Sequence, residues 1–100
     1  MALTPLQSRI GAYLLEHCRG PGPSGGVAPF RLREAMRCND LDVATAVYAL
    51  ARLGLAGYDG ETTTPFNDPL TLLGYHLTNV YLTDHGWESL TAGELREERG

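Results

Sequence analysis

Hydrophobic residues recur at helical spacing along much of the chain, and the first such stretch begins at a cluster of helix-starting residues. In "TPLQ", Thr4 can cap a helix, Pro5 suits its first turn, and Gln7 stands three residues after the cap, as in a capping box. An apolar stripe with a 3.6-residue period includes Leu3, Leu6, Ile10, Tyr13, Leu14 and His17. This pattern predicts a first helix that packs against a core and ends near Cys18.

The next apolar positions predict two more helices separated by a short polar break. Pro29 suits the start of the second helix, and the predicted inner face of that helix comprises Leu32, Ala35 and Met36. The break "CND" ends this helix, and Asn39 or Asp40 can cap the third, at about 41–53. The inward positions of the third helix are Val43, Ala46, Val47 and Leu50.

The second half of the chain has the alternating and β-branched composition of strands. Gly54 is placed to end the third helix, and residues 55–58 and 75–83 then predict two strands joined by a long hairpin. Leu50, Leu53 and Leu55 are expected to close the core beneath this hairpin. Thr83 or Asp84 can cap a last helix. The prediction is one mostly helical α+β domain over 1–100, with a flexible loop at 19–26 and a charged tail at 93–100.

Charge restricts the partners that this domain can have. The net charge is −4, with +1 over residues 1–60 (six Arg, five acidic) and −5 over residues 61–100 (two Arg, seven acidic). Strong non-specific DNA binding needs a basic excess, because neutralised phosphates supply most of its affinity. A small local basic face remains compatible with these numbers. The sequence lacks a signal peptide and a membrane-spanning apolar run, so we expect a cytoplasmic protein with no membrane partner.

Catalytic and metal-binding motifs are missing from the sequence. Cys18 and Cys38 lie too far apart for a zinc motif of the CxxC type, and the adjacent His17–Cys18 pair is better interpreted as an ordinary histidine beside a reduced thiol. The Gly-rich "PGPSGG" follows a helix rather than a buried strand, which makes it a linker rather than a phosphate loop. We therefore predict no enzyme and no cofactor.

Two segments resemble the winged helix-turn-helix regulators of the bacterial MarR and PadR type. "TAVYALARLGLAGY" resembles their recognition helix and first wing strand, and "VYLTDHGWESL" is similar to the element in which the second wing strand enters the following helix. The likeness covers about residues 4–92. It implies a three-helix core, a wing hairpin of two to three strands with the wing at 59–75, and a C-terminal helix.

The resemblance also implies a function and a set of contact residues. The third helix would enter the major groove of double-stranded DNA and present Thr45, Tyr48, Ala49 and Arg52 to base edges. Arg31, Arg33 and Arg37 would hold phosphates. The protein would act as a sequence-specific transcriptional regulator, as a homodimer on a short inverted repeat, with a dimer interface formed by Leu15, Trp87 and Leu95.

The wing departs from this pattern and supports an alternative function. No Arg or Lys occurs between Asp59 and Asp84, whereas wings that grip DNA present basic residues at their tip. The alternative is a winged-helix module that binds a protein partner through its acidic C-terminal half or apolar wing, without significant DNA binding. One contiguous patch of Arg31, Arg33, Arg37 and Arg52 would favour DNA, and scattered arginines would favour the interaction module. A third class, a small-molecule sensor, has no clear pocket in the sequence.

Overall fold

A computed structural model describes residues 2–62, 71–72, 75–93 and 96–97. The helices are α1 (Pro5–His17), α2 (Pro29–Met36), α3 (Asp40–Arg52) and α4 (Asp84–Thr91), with a short 3-10 turn at Pro23–Gly25. The strands are β1 (Ala2–Leu3), β2 (Ala56–Thr62), β3 (Thr71–Leu72), β4 (Tyr75–Leu82) and β5 (Arg96–Glu97). This is the α+β, mostly helical winged-helix architecture that the sequence predicts.

Capping residues set the limits of the helices. Thr4 and Gln7 form the reciprocal capping box at the start of α1. Asn39 caps α3, and its side chain accepts a hydrogen bond from the backbone of Asp42 at 2.8 Å. At the other end of α3, Gly54 takes a φ of +77°, and the Leu55 amide reaches back to the Leu50 carbonyl oxygen at 3.1 Å. This Schellman turn satisfies the last carbonyls and reverses the chain into β2.

The wing is an antiparallel sheet in the order β2–β4–β3. The register of β2 and β4 pairs Ala56 with Leu82 and shifts by a bulge between Asp59 and Gly60. Val27 adds an isolated antiparallel bridge to Val80, with amide-to-carbonyl distances of 2.8 and 2.9 Å. Val27 thus joins the sheet by a single bridge. Most of the wing's far end, at 63–70 and 73–74, lies outside the described residues.

The core lies where α1, α2 and α3 pack against the base of the wing. Its fully buried side chains come from every one of these elements: Leu3, Ile10, Leu14, Leu32, Val43, Val47, Leu50, Leu55, Val80 and Leu82. Three sequence expectations about burial are wrong. Ala35 and His17 are exposed, and Leu53 is 38% exposed on the outer surface instead of closing the core.

The two segments that carry the family resemblance meet in space at the exit from α3. Thr83 caps α4 by accepting from the Gly86 amide at 3.0 Å, and its hydroxyl donates to the Gly54 carbonyl at 2.6 Å. The Thr83 amide also donates to the Leu55 carbonyl at 3.1 Å. Gly86 then packs directly against the Leu55 backbone. The motif residues therefore fix how the wing returns to the helical core.

Both chain ends contribute to the fold beside α1. Ala2–Leu3 pairs in parallel with Arg96–Glu97, so part of the predicted charged tail forms the two-residue strand β5. In the predicted loop at 19–26, the Gly22 amide donates to the Leu82 carbonyl at 2.9 Å. The Asn79 side chain donates to the Pro23 carbonyl at 2.9 Å. These bonds connect the loop to β4; its flexibility stays a prediction.

A substitution at the N-cap of α3 tests whether capping residues set the limits of the helices. Asn39→Ala is expected to lower the free energy of unfolding by about 1 kcal/mol, because the Asp42 amide loses its acceptor. For a domain of this size that corresponds to a fall in Tm of about 4–8 °C. Thermal and urea unfolding followed by circular dichroism measure both values. Asn39→Asp keeps an acceptor oxygen and should stay near the wild type; an equal loss in both variants would contradict the role of the cap.

Candidate nucleic-acid interface

The outer face of α3 forms an open surface. Val43, Ala46, Val47 and Leu50 bury the inner face, as predicted. Thr45 and Arg52 are exposed on the opposite side, while Tyr48 and Ala49 are half-buried between them. These four residues line one open depression of about 540 Å³, together with Gln7 and Leu53. The structure thus brings together the four residues expected to read bases.

Sequence reasoning missed two of the residues that line this depression. The sequence indicates Gln7 only as a capping residue, and it does accept from the Thr4 amide at 3.2 Å. Its position beside α3 follows from the packing of α1 on α3, which no local pattern reveals. The apolar side chain of Leu53 predicts a core position. Its position one residue before the helix-ending Gly54 instead turns it outward.

Tyr48 connects α3 to the wing. Its ring lies 6.2 Å from that of Tyr58 on β2, centroid to centroid, at an interplanar angle of 31°. Tilted aromatic pairs at this distance are stabilising beyond the area that they bury. Tyr48 therefore lines the depression and also contacts the wing through Tyr58.

Arg33 is engaged in ion pairs. Its guanidinium donates to Asp40 at 3.2 Å and to Glu34 at 3.1 Å. The hydrogen bond to Glu34 and the negative charge of Asp40 raise the pKa of Arg33 above its ordinary value. Because Asp40 is the first residue of α3, the pair links α2 to α3 across the turn. A DNA phosphate would therefore compete with these carboxylates for Arg33.

The remaining arginines occupy different settings. Arg37 is exposed at the end of α2 and takes a left-handed φ of +53° in the turn to α3. Arg31 lines a separate cleft with His17, at the opposite end of α1 from Gln7 and the α3 depression. With Arg33 paired as well, the four arginines do not form one contiguous patch of free charge. By the criterion set from the sequence, this scatter favours protein interaction over phosphate-driven DNA binding.

The predicted dimer residues are only partly placed by the structure. Leu15 and Trp87 are both half-buried and pack against the core. Leu95 lies outside the described residues. Each of the first two side chains leaves some apolar area uncovered, and the dimer interface stays a prediction.

The cysteines show no sign of a metal centre. Within the described ranges, no group of three or more His, Cys, Asp or Glu side chains is arranged to hold a metal ion. Cys18 is buried and Cys38 is half-buried, and both are free thiols. Burial is the largest cause that raises the pKa of each thiol. In the same part of the chain, no helix is long and apolar enough to cross a membrane.

Among the comparisons with known proteins, only the comparison with solved structures finds matches. No family model and no curated protein sequence matches this chain. Solved structures do match. A variant of MepR from a multidrug-resistant S. aureus clinical isolate aligns with a TM-score of 0.64 at 19% identity, over 90% of this chain and 54% of that one. A variant of ZitR from Lactococcus lactis aligns with a TM-score of 0.64 at 16% identity, over 94% of this chain and 52% of that one.

A third solved structure is described as a multiple antibiotic-resistance repressor (MarR) from Listeria monocytogenes. It aligns with a TM-score of 0.52 at 20% identity, over 90% of this chain and 52% of that one. This chain therefore spans about half the length of each of these proteins. The order of helices and wing strands agrees with the likeness. The chain has the winged-helix fold of MarR-type regulators.

Proposed function

We propose that this protein is a sequence-specific DNA-binding transcriptional regulator that places α3 in the major groove. One observation carries the proposal: α3 buries one face in the core and leaves its outer face open. It does so in a chain whose fold is similar to that of a repressor. A helix in this position of a helix-turn-helix unit has the diameter that the major groove accepts. The function is one of binding, without catalysis, and we expect it to operate in the cytoplasm.

Thr45, Ala49 and Arg52 are the proposed base-contacting residues. Thr45 and Arg52 lie seven residues apart, two turns along one face of α3. An exposed guanidinium can donate two hydrogen bonds to guanine O6 and N7, and the methyl groups of Thr45 and Ala49 suit contact with a thymine methyl group. Tyr48 supports this face through Tyr58. A selection from a random duplex pool should therefore enrich sites in which a guanine lies close to a thymine.

The proposed phosphate contacts are few. Arg31 and Arg37 are exposed, whereas Arg33 is occupied by Asp40 and Glu34. With about two phosphates neutralised per subunit, log K should fall with log salt at a slope of about −2 per subunit. Affinity at physiological salt would then depend on base contacts and on dimerisation, which doubles the contact set.

We propose a homodimer on a short inverted repeat, with Leu15, Trp87 and Leu95 at the interface. The half-buried Leu15 and Trp87 support this assignment, because each carries apolar area that a second copy would cover. Sedimentation equilibrium on the wild type and on Leu15→Asp with Trp87→Ala tests it. A dimer that persists unchanged in the double variant would exclude this interface.

A protein-interaction module is the second candidate, and the arrangement of arginines favours it. The pairing of Arg33 and the separation of Arg31 from Arg52 leave little contiguous positive charge for a duplex. The proposed partner surface is the acidic C-terminal half or the apolar wing. The duplex selection decides between the two: an enriched sequence supports the regulator, and a pool that stays random supports the interaction module.

Releasing Arg33 should strengthen DNA binding. Asp40→Asn keeps the shape of the side chain but removes one of the two charges that hold Arg33. We expect about a threefold lower Kd for the selected duplex, since exposed ion pairs are weak and the freed guanidinium can reach a phosphate. Fluorescence anisotropy measures the change.

A double variant separates this effect from the simple loss of a negative charge. In an Arg33→Gln background, Asp40→Asn should give little further gain, because the guanidinium that it releases is missing. The same gain in both backgrounds would show that Asp40 acts by repelling DNA and that Arg33 makes no phosphate contact.

A further inference from the structure

A second cleft lies at the far end of α1 from the α3 depression. It has a volume of about 370 Å³, and it is lined by His17, Arg19, Ser24, Gly25, Gly26, Val27 and Arg31. Gln7, which lines the α3 depression, precedes His17 by ten residues on the same helix. At the helical rise this is a separation of about 15 Å. The two surfaces are therefore distinct.

The cleft gathers positive charge in a chain whose net charge is −4. Two guanidinium groups, from Arg19 and Arg31, share it with the imidazole of His17, and its lining includes no carboxylate. Both ion pairs in the described part of the chain belong to Arg33, so neither cleft arginine is neutralised there.

The backbone around the cleft adds to this potential. α2 begins beside it, and Ala28, the residue before the helix, makes no capping bond by its side chain. The first turn of α2 carries no acidic residue. The positive end of the helix dipole is thus uncompensated by protein groups at this point.

The loop that forms the cleft wall is held in place by β4. Val27 exchanges two backbone hydrogen bonds with Val80, and Asn79 donates to the Pro23 carbonyl. A side chain at Gly25 would lie 3.2 Å from the Arg19 amide nitrogen, so the loop and the end of α1 approach closely. A wall that is already ordered loses little conformational entropy when it binds a ligand.

We propose that this cleft binds a phosphate group. Two arginine guanidinium groups and a serine hydroxyl, all present in the lining, are groups that recognise phosphate oxygens in proteins. The volume suits a small phosphorylated molecule, and the polar lining disfavours an apolar one. The same chemistry would accept a backbone phosphate of a duplex. The site stands independently of the proposed contacts of α3 with bases.

Titration with inorganic phosphate, followed by ¹H–¹⁵N NMR at constant ionic strength, tests the site. We expect saturable shifts of the amides of Ser24, Gly25, Gly26 and Val27, with a Kd of about 1 mM. Arg19→Gln and Arg31→Gln should each weaken this binding at least about tenfold. Arg9→Gln removes one charge from the exposed side of α1 outside the cleft and should leave the Kd unchanged.

Two results would overturn the proposal. One is the absence of saturable shifts at about 50 mM phosphate in a folded protein. The other is an equal loss in Arg9→Gln and Arg31→Gln, which would indicate only general attraction of anions. Repeating the titration with a short duplex shows whether the phosphate that binds belongs to DNA or to a small molecule. If the duplex shifts the same amides and free phosphate reverses those shifts, the ligand is a DNA phosphate. If the duplex leaves these amides unmoved, the ligand is a small phosphorylated molecule. The amides that report phosphate binding lie on the loop and not on α3. A failure of α3 to bind DNA would therefore leave this test of the cleft unaffected.

Discussion

Replacing Gly86 by alanine is expected to produce the largest loss of stability of any single change considered for this protein. The added Cβ would overlap the carbonyl oxygen of Leu55, which belongs to the backbone and cannot rotate away. Overpacking of a core typically costs 1–3 kcal/mol, and a clash with backbone lies at or above the upper end, so we expect about 3 kcal/mol or more. This corresponds to a fall in Tm of roughly 12–24 °C.

Gly11→Ala provides the matched control. Gly11 is also a buried glycine within a helix, but there a Cβ meets the Leu90 methyl groups at 3.4 and 3.5 Å, an ordinary contact. Alanine is the better helix former by about 1 kcal/mol, so this variant should be as stable as the wild type or more so. Thermal unfolding compares the two. If Gly86→Ala melted within a few degrees of Gly11→Ala, the close approach of α4 to the exit of α3 would be wrong.

The second large effect concerns Arg52. Arg52→Ala is expected to weaken binding of the selected duplex by about 5- to 150-fold, the range for loss of one bidentate arginine–guanine contact. The side chain is exposed on the outer face of α3, so the protein should remain folded with an unchanged Tm. Anisotropy titrations against the selected duplex measure the Kd.

Arg52→Lys separates base recognition from charge. Lysine keeps the positive charge but lacks the planar fork of the guanidinium, so a base-reading Arg52 predicts a substantial loss in this variant as well. A phosphate contact predicts near-normal binding by Arg52→Lys. Glu16→Ala, on the exposed side of α1, should leave the Kd unchanged. Full affinity in Arg52→Ala would remove Arg52 from the interface.

The order of the four helices and the two main wing strands could be predicted from the sequence because local signals mark the start of every helix, whereas no such signal marks the two-residue strands β1 and β5. Thr4, Pro29, Asn39 and Thr83 each act at the start of a helix, and Gly54 acts at the end of one, as their residue types indicate. Capping depends on groups within a few residues of each other along the chain. Helix caps can therefore be recognised in the sequence without knowledge of the tertiary structure. The role of Gly86 was visible only as a family motif; its physical reason, contact with Leu55, needed the fold.

The candidate site was less accessible to sequence reasoning. The outer positions of α3 follow from its periodicity, and the structure brings them together. The pairing of Arg33 with Asp40 crosses a turn whose geometry the sequence does not specify. The contact between Tyr48 and Tyr58 depends on the angle between α3 and β2. The cleft formed by Arg19 and Arg31 arises because β4 fixes a loop that, by composition alone, looks like a linker.

The most direct test of the proposed function is fluorescence anisotropy against a duplex from upstream of the protein's own gene, with a scrambled duplex of equal length as control. Titrations at about 50 and 200 mM salt measure how much of the binding free energy is electrostatic. The proposed regulator should bind the upstream duplex in preference to the scrambled one, with modest weakening at the higher salt and loss of the preference in Arg52→Ala. Absence of binding to either duplex at the lower salt would contradict DNA binding and leave the interaction module as the function.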